Sequence, residues 1–150
     1  MNIVFRADAS VIIGSGHVMR CLTLADYLHK KGANIAFASR VFDGHLCNYI
    51  ERRGYRVFRL SQKDEQLISD WEIDYEETKS LLESFFVKND WLVVDHYNLD
   101  YRWEAALRPL VKKIMIIDDL ANRRHECDIL LDQNLYENME KRYKHLVPDH

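Results

Sequence analysis

The feature that most constrains this chain is an alternation between short apolar runs and longer amphipathic stretches. The apolar runs are Asn2–Arg6, Ile35–Ala38, Tyr55–Leu60, Trp91–Asp95, Ile114–Ile117 and Asp128–Leu131. Most are apolar on both faces, which suits strands covered from both sides rather than strands with one wet face. Between them lie helical patterns. Val18, Cys21, Leu22, Leu24, Ala25 and Leu28 recur at helical spacing up to Lys30-Lys31-Gly32, a basic last turn followed by a stop residue. Leu46 and Ile50, closed by Arg52-Arg53-Gly54, predict a short second helix. Asp64–Val87 reads as helical with a break near Asp70–Asp74. Asp100 can cap a helix running to about Val111 that turns Trp103, Ala106, Leu107 and Leu110 inward. Residues from about Tyr136 onward are polar and weakly periodic. Strands alternating with helices predict an α/β fold with a doubly wound parallel sheet.

At 150 residues the chain suits one domain, expected over residues 1–150. With 21 basic and 24 acidic residues, the net charge of −3 gives no electrostatic reason to bind nucleic acid or an anionic membrane. No apolar run approaches the roughly 18–20 residues that span a bilayer, and the opening Met1-Asn2-Ile3-Val4-Phe5-Arg6 has no secretory pattern. A cytoplasmic protein is expected. Cys21, Cys47 and Cys127 are odd in number and far apart, so reduced, buried thiols are expected rather than a zinc site or a disulfide framework.

Ligands of open parallel sheets bind beyond the carboxyl ends of the strands. That rule selects the Arg6–Gly16 loop, the segment after Asp95, the segment after Asp118-Asp119, and Asp132-Gln133-Asn134. Gly14, Ser15 and Gly16 stand where the first long helix begins, so free N–H groups there can attract an anion. The dinucleotide fingerprint is incomplete, because Met19 holds the third glycine's place and Gly14 lies eight residues beyond Arg6. No Walker loop is present. The loop is therefore either a phosphate-side cradle or a glycine turn before a helix. His17 follows it, at the positive end of the helix dipole, which disfavours imidazolium and keeps a proton acceptor near neutral pH. It is either a general base or a capping residue. Asp95-His96-Tyr97 brings a carboxylate, an imidazole and a phenol to one sheet edge, or else simply caps the next loop. Asp118-Asp119 points to loop hydrogen bonding rather than metal binding, and Arg123-Arg124-His125 to a solvated turn. Trp91 and Trp103 are expected in the core.

Three blocks in order then carry a resemblance. Arg6-Ala7-Asp8-Ala9-Ser10 with Ile13-Gly14-Ser15-Gly16-His17-Val18-Met19-Arg20-Cys21-Leu22 forms the first. Val94-Asp95-His96-Tyr97 with Leu99-Asp100 forms the second. Ile117-Asp118-Asp119-Leu120-Ala121-Asn122-Arg123 and Cys127-Asp128-Ile129-Leu130-Leu131-Asp132-Gln133-Asn134 form the third. Together they resemble the UDP-sugar hydrolases of the pseudaminic-acid pathway, whose substrate is UDP-2,4-diacetamido-2,4,6-trideoxy-β-L-altropyranose.

The resemblance implies a Rossmann-like N-terminal half of a glycosyltransferase-B fold, and hydrolysis that releases UDP with water as acceptor and without metal or other cofactor. It implies His17 as catalytic base and Tyr97 as an active-site tyrosine. Gly14, Ser15 and Gly16 match the phosphate-side loop. Asp8 and Asp95 match motif acids with positional roles, and Arg20 and His96 fall in the same blocks, on the substrate side. The chain departs from the pattern at Ser15, a variable position, and at Asn98, where glycine is more usual. A C-terminal domain supplying most uracil and ribose contacts is implied but lies outside this sequence, so the half alone is expected to be inactive. Two other readings stay open: a glycosyltransferase of surface polysaccharide synthesis, and a non-catalytic nucleotide-sugar-binding module.

Overall fold

The structure is a computed structural model that describes residues 1–61, 71–85 and 88–148. Six strands form one parallel sheet: β1 (Asn2–Ala7), β2 (Asn34–Arg40), β3 (Arg56–Leu60), β4 (Asn89–Asp95), β5 (Val111–Ile117) and β6 (Ile129–Leu131). Their order across the sheet is β3-β2-β1-β4-β5-β6, and every neighbouring pair is parallel. Among the described residues, five α-helices connect or follow them: α1 (Gly16–Lys30), α2 (Cys47–Arg52), α3 (Trp71–Phe85), α4 (Tyr101–Leu107) and α5 (Met139–Arg142). The expected doubly wound, Rossmann-like arrangement is therefore present, with every predicted strand in place.

Differences lie at the boundaries. Asp100 caps α4 as expected, accepting the Arg102 N–H at 3.0 Å. That helix ends at Leu107 and tightens into a 3-10 turn over Arg108–Leu110. Pro109 accounts for the change, because it lacks an N–H and its ring crowds the preceding turn. β5 consequently starts at Val111, three residues before the apolar run that marked it. Within the stretch read as one broken helix, α3 occupies 71–85, while residues 64–70 and 86–87 lie outside the described residues. The polar tail contributes the single turn of α5. Cys21, Cys47 and Cys127 are buried, as expected.

Strand alternation divides the core into two layers. Ile3, Phe5, Phe37, Val93 and Ile117 face α1, where Val18, Cys21, Leu22 and Ala25 meet them. Val4, Leu92, Val94, Ile114 and Ile116 face the other way, against Leu81 and Leu82 of α3 and Trp103 and Leu107 of α4. Trp103 is fully buried, whereas Trp91 is only half-buried. Packing thins toward β6, where Ile129 and Leu131 remain exposed.

One charged residue interrupts β1. Arg6 is completely buried in the central strand. It donates to both oxygens of Asp8, at 2.5 and 2.8 Å, and to both oxygens of Asp74 on α3, at 3.1 and 2.6 Å. Arg40, at the end of β2, reaches Asp74 at 2.7 Å through its guanidinium and Asp8 at 2.7 Å through its backbone N–H. Trp103 Nε1 and Thr78 Oγ1 complete the shell of Asp74, at 3.1 and 3.3 Å. Burial of an ion costs several kcal/mol, and two guanidiniums facing two carboxylates offset one another here. Burial alone would raise the Asp74 pKa, but the Arg6 charge and hydrogen bonds outweigh it and bring it down to about 2. Asp8 is lowered too: burial would raise it, but the Arg6 charge and the hydrogen bonds of His96 and Arg6 outweigh that.

Replacing Asp74 with alanine leaves two buried guanidiniums short of a partner. The Asp74→Ala variant should lose about 3–5 kcal/mol, read as a lower urea midpoint with unchanged slope. The depressed Asp74 pKa also sets a direction with pH. Its contribution is fully present above the ordinary aspartate value of 3.8 and lost as pH falls through about 2. Acid titration followed by circular dichroism should show stability declining over that window, with a smaller decline in Asp74→Asn.

Candidate functional site at the sheet's switch point

The strand order reverses between β1 and β4, since the chain leaves β1 toward β2 on one side and leaves β4 toward β5 on the other. Such a reversal opens a crevice above the carboxyl ends of the two strands. Ala7 pairs with Asp95 at that edge. The loop after β1, the first turn of α1 and the segment after β4 therefore converge on one place.

The β1–α1 loop is a built structure. Ser10 Oγ accepts the N–H groups of Ile12 and Ile13 at 3.0 and 2.8 Å, and Gly14 N–H donates to the Ser10 carbonyl at 2.9 Å. Val11 N–H reaches the Asp43 carbonyl at 2.9 Å. Gly44 must be glycine at that contact: its φ is +78°, and a Cβ there would lie 2.8 Å from Val11 Cγ1. Gly14, at φ +81°, makes the turn into α1. Ser15 stands at the N-cap of α1 without a side-chain cap, and the first turn holds no acidic residue. Space beside Gly14 and Gly16 is open. The first-turn N–H groups thus point at an uncapped, accessible helix end, which suits an anion.

His17, in that first turn, is buried, with 5% of its surface exposed. Its Nδ1 is hydrogen-bonded to the Asp95 carboxylate. A carboxylate only accepts, so Nδ1 carries the proton and Nε2 keeps the lone pair. Nε2 makes no hydrogen bond among the described residues. Arg20, one turn on, clamps the same carboxylate through Nε and through Nη2 at 2.6 Å. Hydrogen bonding to Asp95 raises the Arg20 pKa, and the Asp119 charge adds to this. Tyr97 stands edge-on to the His17 ring, with centroids 4.4 Å apart and planes at 81°. Its hydroxyl donates to Asp119 Oδ1 at 3.1 Å. Partial burial and the Asp119 carboxylate raise the phenol's pKa.

Asp8, Ile13, His17, His96, Tyr97 and Asn98 enclose a cavity of about 90 Å³. That is room for about three waters or one small substituent, far less than a sugar nucleotide. His96 has both ring nitrogens engaged: Nδ1 accepts the Asn98 N–H at 3.1 Å, so Nε2–H donates to Asp8 at 3.1 Å. The structure therefore brings together Asp8, His17, Asp95, His96 and Tyr97, with Gly14, Ser15 and Gly16 leading into His17 and Arg20 behind it. Asp8, His96 and Arg20 spend their polar atoms on protein partners. Among the described residues, no group of three metal-binding side chains gathers.

Two expectations outside this group change. Arg123 is no solvated turn residue: its guanidinium donates to Asp118 at 2.7 Å and to the carbonyls of Leu99 and His96 at 2.9 and 3.0 Å. It clips down the loop that carries Tyr97. His125 is likewise buried, with Nδ1 donating to Glu104 at 2.7 Å. Asp118 does hold its loop, accepting the Ala121 N–H at 2.9 Å, but Asp119 turns toward the site instead.

Comparison with known proteins agrees with the motif blocks. The chain is 33% identical over 149 residues to the UDP-2,4-diacetamido-2,4,6-trideoxy-β-L-altropyranose hydrolase of Campylobacter jejuni, an alignment covering 99% of this chain. The resemblance holds along the whole chain. A second relative, an uncharacterized protein of Methanocaldococcus jannaschii, is 27% identical over 119 residues, 79% of this chain. The chain spans 47% of the hydrolase's length and 22% of the archaeal protein's. No family model matches.

Arg40 and Asp74 were not singled out as site or scaffold residues by their sequence patterns, and Asp119 was read as a loop residue without its contact to Tyr97. Arg6 and Arg40 carried a usable signal, a charge within or at the end of an otherwise apolar strand. Asp74 sits in an acidic stretch that looks solvated. The tautomer of His17 is open to direct test. In Asp95→Ala the accepting carboxylate is gone and Arg20 Nη2, 3.1 Å from Nδ1 and able only to donate, faces that nitrogen, which drives the proton to Nε2. Nitrogen-15 NMR of the imidazole should report the Nδ1–H form in the wild type and the Nε2–H form in the variant.

Proposed function

We propose that this chain provides the catalytic-base half of a UDP-sugar hydrolase acting on a UDP-linked 2,4-diacetamido-trideoxy sugar in nonulosonic-acid synthesis. One observation carries the reading: Asp95 ties the Nδ1 side of His17, leaving Nε2 as the proton acceptor of a residue that lines a water-sized cavity at the switch point. The C. jejuni relative, named as a hydrolase of such a substrate, supports it.

In this mechanism His17 Nε2 takes a proton from a water held in the cavity. The water oxygen bonds to the anomeric carbon as the bond from that carbon to the UDP oxygen breaks, and UDP leaves as an anion. Its phosphate charge meets the first-turn N–H groups of α1 and the Gly14-Ser15-Gly16 backbone. Asp95 holds the imidazole tautomer and stabilises the imidazolium once formed. Tyr97 closes the cavity beside the base. Asp8 and His96 hold the walls.

The cavity is too small for the nucleotide, and the C. jejuni hydrolase is about twice as long as this chain. The proposal therefore assigns the uracil and ribose contacts to a second domain and gives the 150-residue chain alone little turnover. In a form that includes that domain, His17→Ala should lower UDP release by at least about 100-fold while calorimetry finds UDP affinity nearly unchanged. Unaltered turnover in that variant removes His17 from the role.

A further inference from the structure

Asp119 lies in the third motif block but has no part in the reaction above. It follows β5, the strand next to β4, and its carboxylate is 15% exposed. One oxygen accepts the Tyr97 hydroxyl at 3.1 Å. The other lies 3.6 Å from Arg20 Nη1 and 3.4 Å from Asn134 Nδ2. Its own backbone carbonyl is held by Arg142 Nη2 at 2.6 Å. Asp119 is thus anchored from the segment after β6 and from α5, and its carboxylate reaches both side chains that flank His17.

The contacts close a ring. His17 bonds to Asp95, Asp95 to Arg20, Arg20 approaches Asp119, Asp119 bonds to Tyr97, and Tyr97 returns edge-on to His17. Tyr97 is the weak link. It is 41% exposed and sits in a turn, so its ring has little packing to hold it. An exposed tyrosine samples several rotamers unless its hydroxyl end is fixed. Asp119 supplies that fixed point.

We propose that Asp119 is a positioning residue that holds the Tyr97 ring against His17 and so keeps the wall of the water-sized cavity in place. It acts through Tyr97 and does not itself reach the reacting atoms. The catalytic part of this inference rests on the hydrolase reading above, whereas the positioning part does not.

The test separates the two. In the isotope-labelled 150-residue chain, the Tyr97 ring carbon bearing the hydroxyl is titrated by carbon-13 NMR in wild type and Asp119→Asn. Loss of the neighbouring carboxylate should move the midpoint down. The His17 ring protons, which feel the Tyr97 ring current, should shift in Asp119→Ala in the same direction as in Tyr97→Leu, with the urea midpoint close to wild type. Unmoved His17 protons and an unmoved Tyr97 midpoint overturn the positioning claim. If Asp119→Ala fails to fold, Asp119→Asn with the same two readouts decides it.

UDP release from UDP-2,4-diacetamido-2,4,6-trideoxy-β-L-altropyranose, measured with the second domain present, tests the catalytic part. Asp119→Asn should lower kcat by roughly 10- to 100-fold with KM little changed. In the Tyr97→Phe background the same substitution should add nothing. Independent, multiplying losses overturn action through Tyr97. No UDP release by the wild type refutes the hydrolase reading and leaves the NMR result to decide the positioning.

Discussion

The structure turns on a buried arginine in its central strand. Arg6 sits where an apolar residue would ordinarily complete β1, and a lone buried guanidinium there would be prohibitive. Its presence forces two carboxylates inward: Asp8 from the loop at the end of the same strand, and Asp74 from α3. Arg40 then balances the second negative charge from β2. One substitution of charge in one strand thereby ties together β1, β2, α3 and, through the Trp103 indole, α4. Such a network specifies more than it stabilises, since well-packed apolar side chains could fill the same volume at similar or lower cost. What the charges supply is direction.

That direction reaches the candidate site. Asp8 has its oxygens committed to Arg6 and to the Arg40 backbone N–H, and accepts in addition from His96 Nε2. His96 in turn accepts the Asn98 N–H through Nδ1, which shapes the turn that presents Tyr97. Arg123 clips the same loop from the other side by its carbonyls. The tyrosine wall of the cavity is therefore set by the buried ionic core below it and by the β5–β6 segment beside it. His17 is placed independently, by the first turn of α1 and the last residue of β4. The cavity exists where these two placements meet, at the reversal of the strand order.

Much of this was legible in the residues. The apolar runs marked all six strands, the central ones most clearly, because a strand covered on both faces has no polar period to blur it. The glycine-flanked helix start and His17 stood out because they lie beyond a strand end, where open parallel sheets bind ligands. Asp100 as a cap was equally readable, being a local hydrogen bond. Boundaries set by competition were not: Pro109 cut α4 short of the periodicity that extended it, and β5 gained residues whose lysines masked the strand. Asp74 and His125 escaped for one shared reason. Each looks like a solvated polar residue along the chain, and each is defined by a partner 20 or more positions away.

Sequence alone determined the fold class, and it marked the sheet edge and the histidine of the candidate site, because these depend on local periodicity, turn residues and motif spacing. Tertiary structure decided which polar residues do what. It assigned the proton on His17 through Asp95, occupied Arg20 and His96 with protein partners, brought Asp119 to Tyr97, and limited the enclosed space to a few waters. The physical reason is that a side chain's role follows from its hydrogen-bonding partners and its burial, and both are set by strands and helices that meet only after the chain has folded.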